Sequence, residues 1–113
     1  MRTLIALIGL LAATTLAHAT PYEGDWIADA KAKCPRSSNA YGENIVAITP
    51  TTITFYESSC TIDRADAKGP AAWLLSLSCR GEDGNSRERR PLTLLKNGRE
   101  MRLNGVTWYR CRR

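Results

Sequence analysis

Four cysteines behind an apolar leader constrain the fold of this sequence more than any other feature. Cys34, Cys60, Cys79 and Cys111 all follow the leader. An even number of cysteines in this position is typical of a small domain that is cross-linked by two disulfides in an oxidising compartment. A zinc site built from four cysteines needs close C-x-x-C pairs, and the sequence has none, so we expect no metal and no other cofactor.

The leader covers residues 1–19 and has the three parts of a secretory signal peptide. Arg2 supplies the positive start, Leu4 to Leu16 form the apolar stretch, and Ala17-His18-Ala19 is a small-residue cleavage motif. The apolar stretch is shorter than the roughly 20 residues that a membrane-spanning helix needs. We therefore predict cleavage between Ala19 and Thr20, and a periplasmic or secreted protein that does not span the membrane.

Cleavage would leave one small, basic domain. Removing 19 of the 113 residues gives 94, and removing Arg2 from the 16 basic residues leaves 15 against 11 acidic ones. A domain of this size buries only about 60–65% of the surface that its unfolded chain exposes, so its core is small. Disulfides are the expected compensation in a domain that spans residues 20–113.

Short apolar and β-branched runs, separated by turn residues, predict a mostly β domain of about six or seven antiparallel strands. Asn97-Gly98 and Asn104-Gly105 both fit type I′ hairpin turns. A small meander of this kind closes most readily into a barrel, because closure removes exposed strand edges. The predicted strands are Asn44–Thr49, Thr52–Tyr56, Ala72–Cys79, Pro91–Lys96, Arg99–Leu103 and Val106–Cys111.

The remaining segments are interpreted as loops or as a helix. Asp25 to Cys34 is compatible with a short N-terminal helix that Asp25 would cap. Pro35–Asn44 and Asp63–Pro70 are polar and rich in turn residues, so we predict loops there. Asp83 to Ser86 reads as a turn that follows a strand.

Strand direction disfavours one of the three possible disulfide pairings. In a predicted hairpin of Ile53–Cys60 with Ala72–Cys79, each cysteine ends its strand, so the two lie about 20 Å apart, beyond the roughly 7 Å Cα limit of a disulfide, and Cys60–Cys79 is the least favourable pair. Of the two pairings that remain, we predict Cys34–Cys60, which would tie the N-terminal segment to the first hairpin, with Cys79–Cys111, which would tie the last strand to the middle of the sheet.

Most catalytic chemistries lack their residues in the mature domain. The one histidine, His18, leaves with the leader, which removes imidazole-based triads and imidazole zinc ligands. Oxidised cysteines cannot act as thiolate nucleophiles. Paired carboxylates remain as an alternative, for example Glu57 with Glu43 or Asp63, which would suit a small glycan hydrolase. We expect a non-enzymatic protein.

Two basic clusters are candidate docking surfaces for an anionic partner such as a lipid head group, a polysaccharide or an acidic protein. The alternative is that they form a solvated rim that keeps the domain soluble. Export argues against nucleic acid as the partner. We therefore expect an exported binding domain, in its sharpest form an inhibitor of a secreted hydrolase and otherwise an envelope accessory protein. The candidate partner surface comprises Tyr41, Arg87, Arg89, Arg90, Arg112 and Arg113.

Two resemblances add to this interpretation. Gly24-Asp25-Trp26 resembles the G-x-W that opens the first strand in the lipocalin, avidin and metalloprotease-inhibitor group of barrels. In that group a basic residue of the last strand packs over the tryptophan, and the resemblance assigns this part to Arg110 or Arg112 on Trp26.

The second resemblance covers most of the domain. The G-x-W, Cys34, a Y-E-x-x-C motif ending at Cys60, Cys79, and a Y-R-C motif ending at Cys111 resemble a pattern in small exported bacterial proteins without an assigned function. It implies a shared fold and disulfide plan, and it implies no activity.

Overall fold

The computed structural model describes residues 20–31, 34 and 44–111, and the predicted signal peptide lies outside them. Within these residues eight strands form one closed antiparallel barrel, in which sequence neighbours pair and the last strand returns to the first. The predicted β fold is confirmed, with eight strands rather than six or seven. The strands are β1 (Gly24–Ile27), β2 (Ile45–Ile48), β3 (Thr52–Thr54), β4 (Ser58–Gly69), β5 (Ala72–Gly81), β6 (Gly84–Leu95), β7 (Glu100–Leu103) and β8 (Val106–Arg110).

Apolar side chains fill the barrel interior, because successive side chains of a strand point to opposite faces. In β5 the two-residue period of the sequence predicts that Trp73, Leu75, Leu77 and Cys79 share one face, and Leu75, Leu77 and Cys79 are indeed all buried. A barrel of about eight strands has an interior just wide enough for side chains. The fully buried members of this core are Trp26, Val46, Ile53, Leu75, Leu77, Leu92 and Met101.

The three central strands are much longer than the others. Of β4, only the start pairs with β3, through Ser59–Thr61, and of β6, only the end pairs with β7. β5 pairs with both β4 and β6 along its whole length. The predicted loop at Asp63–Pro70 is therefore wrong. Most of it continues β4, and the register shifts at Asp63 and Lys68 accommodate the extra residues as bulges.

The predicted N-terminal helix is also wrong in the part that the structure describes. Asp25 lies inside β1, which pairs with β2 on one side and with β8 on the other. The two ladders satisfy the backbone polar groups, and Trp26 and Ile27 become buried. Residues 28–31 form a bend and a turn, and residues 32–33 lie outside the described part.

The two Asn-Gly turns differ in length. Asn104 and Gly105 have φ values of 54° and 86°, as the predicted type I′ turn between β7 and β8 requires. At the other turn Lys96 joins Asn97 and Gly98 at positive φ, so a left-handed three-residue turn links β6 to β7. Both turns connect adjacent strands, as predicted.

Candidate binding face on the outside of the barrel

The disulfides differ from the predicted pairs. The bonds are Cys34–Cys111, with a Cα separation of 5.6 Å, and Cys60–Cys79, with a Cα separation of 3.9 Å. Cys60 is the third residue of β4 rather than the last residue of β3, so the antiparallel ladder sets it directly opposite Cys79. The pairing predicted as least favourable is thus the one formed. Two disulfides indicate an oxidising compartment.

Arg110, the last residue of β8, lies over Trp26 of β1 with its guanidinium carbon 4.3 Å from the ring centroid. Of the two arginines that the resemblance offered for this contact, Arg112 lies outside the described residues. Arg110 donates three hydrogen bonds to backbone carbonyls, namely Gly98 at 2.8 Å, Glu23 at 2.7 Å and Pro21 at 2.6 Å. We call Arg110, the Trp26 ring and these three carbonyls the arginine clamp.

The clamp links three separate parts of the chain. Burial lowers the pKa of Arg110, yet a guanidinium stays protonated in proteins. Trp26 in turn donates its indole N–H to the carbonyl of Tyr22 at 3.0 Å, and the Tyr22 ring meets Trp73 edge-on. The clamp is built from backbone acceptors and a ring face, so we assign it a structural role.

Strands β3 to β6 carry an ordered set of polar side chains on their outer face. The ladders between β3, β4, β5 and β6 align residues directly across the four strands. Two such rows point away from the core, because the row between them contains the buried Ile53, Cys60 and Cys79. We call the eight residues the polar platform; its rows are Thr52, Thr61, Ser78 and Arg87, and Thr54, Ser59, Arg80 and Asn85.

The polar platform lines a shallow groove of about 780 Å³, a volume within the range of small-ligand sites. Two of its hydroxyls already have partners. Thr52 hydrogen-bonds the Thr49 hydroxyl at 2.6 Å, and Ser78 donates to the carboxylate of Asp63. In the described part of the chain the other six side chains have no hydrogen-bond or ion-pair partner, so they can meet a ligand.

The polar platform is positively charged. Its two ionisable side chains are Arg80 and Arg87, which are diagonal neighbours on β5 and β6. Diagonal neighbours of this kind have Cα atoms roughly 7–8 Å apart, within reach of a single anionic group. Further along the same face Arg89 adds a positive charge, and Asp66 is engaged by Arg64, which lowers the Asp66 pKa through a hydrogen bond and its charge.

The predicted partner surface is only partly brought together. Arg87 and Arg89 lie on the outer face, but Arg90 points to the opposite face, where it lies 5.5 Å over the Phe55 ring and pairs with Glu88. Hydrogen bonds from Arg90 and Ser86 lower the pKa of Glu88. Tyr41, Arg112 and Arg113 lie outside the described residues. The run Arg87–Arg90 is therefore split, because alternate residues of a strand face opposite ways.

The carboxylates of the hydrolase alternative lie in different places. Glu57 is exposed in the turn between β3 and β4, whereas Asp63 is the bulge residue that accepts a hydrogen bond from Ser78. Glu43 lies outside the described residues. Among the residues with described positions, no group of three His, Cys, Asp or Glu side chains could hold a metal ion.

Sequence reasoning missed most of the polar platform. The sequence places Thr52 and Thr54 in a strand without a function, Thr61 falls in no predicted strand, and Arg80 is not placed on a partner surface. The signal that was available is the Thr-x-Thr alternation, but only the register sets these residues beside Arg80 and Arg87.

Comparison with protein-family models, with curated proteins and with solved structures finds no match for this chain. No helix among residues 20–31 and 44–111 is long and apolar enough to cross a membrane.

Proposed function

We propose that this protein is an exported, non-enzymatic binding domain of the bacterial envelope that recognises a negatively charged partner through its polar platform. The observation that carries the proposal is the pair Arg80 and Arg87, which share one outward face and have no carboxylate partner within the described residues. A guanidinium presents several N–H donors in a plane, which suits carboxylate, phosphate and sulfate groups.

The split of the basic run supports the choice of face. Arg90 is used within the domain by Glu88 and Phe55, whereas Arg87 is left for an external group. A solvated rim would not require hydroxyl and amide side chains in register between the two arginines. The neighbouring Thr54, Ser59 and Asn85 supply hydrogen-bonding groups around the charges.

The compartment supports an envelope role. Two disulfides fit the periplasm or the extracellular space, and the predicted leader would deliver the domain there. Within this class, an envelope accessory protein and an inhibitor of a secreted hydrolase differ in whether the negatively charged partner is a structural component or an enzyme.

The experiment compares a platform variant with a control variant that loses an exposed arginine elsewhere on the barrel. The precursor is exported with its leader, and the oxidised domain is purified, immobilised and exposed to envelope extract. The variants are Arg80→Gln with Arg87→Gln, and Arg102→Gln, which removes one exposed arginine from β7. We expect components retained by the wild type and by Arg102→Gln to be lost from the double variant, as identified by mass spectrometry and sugar analysis.

Equal retention by the double variant and the wild type would overturn the proposal, as would retention of nothing by either. Circular dichroism and quantification of free thiols on each variant establish that the barrel and its disulfides are intact. Substitution of exposed residues on a strand surface typically changes stability by within about 0.5 kcal/mol, so all variants are expected to fold.

A further inference from the structure

We infer that the ligand of the polar platform is a linear anionic polysaccharide that lies across strands β3 to β6; this inference rests on the proposed function. The platform combines two chemistries that such a chain carries together. Its arginines match acidic groups, and its hydroxyls match the hydroxyls of sugar rings, because a hydroxyl both donates and accepts hydrogen bonds.

The dimensions fit an extended ligand rather than a single ion. Neighbouring strands are about 4.8 Å apart, so each row of four residues extends about 14 Å across the sheet. Thr54, Ser59 and Thr61, whose hydroxyls have no hydrogen-bond partner among the described residues, lie near one end of the rows, while Arg80 and Arg87 lie near the other. A lone phosphate would use the arginines and leave the hydroxyls without a role.

An exposed aromatic ring extends this surface. Tyr56 is 46% exposed in the turn before β4. It shares a shallow depression with Thr54, Ser59 and Arg80, all of which also line the groove of the platform, and the carboxylates of Glu57 and Glu82 line the same depression. The apolar face of a tyrosine ring packs on the C–H face of a sugar, and its hydroxyl provides one more polar contact.

The same surface is poorly suited to a protein partner. Protein interfaces concentrate their binding energy in a central cluster of aromatic or large apolar residues that become fully buried, and charged or polar groups form the rim. All eight platform residues are polar or charged, and the exposed Tyr56 ring lies beside them rather than at their centre. The polar platform therefore has the composition of a glycan-binding face.

The test uses four probes on the oxidised domain. A size-defined polygalacturonate oligomer represents the anionic polysaccharide, and a neutral dextran oligomer of equal length lacks the charge. Polyglutamate of equal charge lacks the sugar, and phosphatidylglycerol vesicles present a lipid surface. Binding is measured by titration calorimetry at low salt and at 0.15 M salt. We expect polygalacturonate to bind, and to bind more weakly at the higher salt because exposed charges are screened over about 8 Å. We expect at least about tenfold weaker binding to each of the other probes.

Two variants separate charge recognition from sugar recognition. Arg80→Gln with Arg87→Gln should weaken polygalacturonate binding by about thirtyfold or more, because it removes two charged donors. Thr54→Val with Thr61→Val keeps the shape and removes two hydroxyls, so it should weaken polygalacturonate by about tenfold and leave polyglutamate unchanged. Arg102→Gln is the control and should bind as the wild type does.

The outcomes distinguish the two proposals. If polyglutamate or the vesicles bind as tightly as polygalacturonate, and this binding depends on Arg80 and Arg87, the polysaccharide inference is overturned and the proposed function stands. If the threonine variant binds polygalacturonate like the wild type, the hydroxyls have no part and the inference is again overturned. If no anionic probe binds, both proposals fail.

Discussion

Replacement of Arg110 by alanine is the most direct test of how much the arginine clamp stabilises the barrel. The substitution removes three charged hydrogen bonds to backbone carbonyls and the contact with the Trp26 ring. The guanidinium is only partly buried, so we take about 1 kcal/mol for each hydrogen bond and up to about 1 kcal/mol for the ring contact. The expected loss is about 4 kcal/mol, a large share of the 5–15 kcal/mol typical of a folded domain.

Urea unfolding of the oxidised domain, followed by tryptophan fluorescence, measures this loss. The midpoint should fall while the slope with urea stays unchanged, since the same surface is exposed on unfolding. Arg110→Lys should recover about 1–2 kcal/mol, because an ammonium keeps the charge but lacks the planar set of donors. Arg102→Ala, which alters an exposed arginine on β7, should cost at most about 0.5 kcal/mol. A loss for Arg110→Ala no greater than that of Arg102→Ala would refute the role assigned to the clamp.

Three further predictions follow from the backbone, the disulfides and the charges. Gly24 has φ +140°, and an added Cβ would lie 3.0 Å from Nη1 of Arg110. Gly24→Ala should therefore lower the free energy of unfolding by about 2 kcal/mol, as measured by thermal unfolding. Gly69→Ala, which has ordinary space around the new Cβ, should lower it by less than half as much. The Cys34–Cys111 bond joins cysteines 77 residues apart, so replacing both by serine should lower the free energy of unfolding by about 4–5 kcal/mol on the chain-entropy model. Mass spectrometry of unreduced peptides checks the bond itself, and a peptide linked through Cys34 and Cys60 would contradict it. Because its pKa is lowered from 4.5, Glu88 stabilises the fold above that pH, and this contribution is lost as the pH falls through the lowered pKa. Between pH 5 and pH 3, a range of about 2 units around that value, the melting temperature of Glu88→Gln should therefore fall less steeply than that of the wild type. Equal slopes for the two proteins would contradict the prediction.

The position of the candidate face has a physical cause. Large side chains such as Trp26, Leu75 and Met101 fill the barrel interior, as expected for a barrel of this size. A ligand in the described part of the molecule therefore meets the outer wall. The long strands β4 to β6 make that wall broad enough to bind an extended molecule, and the buried Cys60–Cys79 bond lies directly behind it.

The disulfide pairing shows where prediction from sequence failed and why. Residues 55–57 form the turn between β3 and β4, and the Phe55 N–H bonds the Ser58 carbonyl at 2.8 Å across it. Phe55, Tyr56 and Glu57 include no Gly, Pro, Asn or Asp, which are the residues that normally identify a turn. The sequence therefore predicts one strand that continues to Cys60. Because that strand in fact ends before the turn, Cys60 lies near the start of β4 and not at the end of β3.

The sequence by itself determined the β class, the inward face of Leu75, Leu77 and Cys79, and the turn at Asn104-Gly105. These features depend on neighbours along the chain, through the two-residue period of a strand and the φ preferences of turn residues. Only the tertiary structure decided which cysteines bond and which residues form the polar platform. Both depend on the register between strands, and register is set by the packing of the whole core rather than by any single segment.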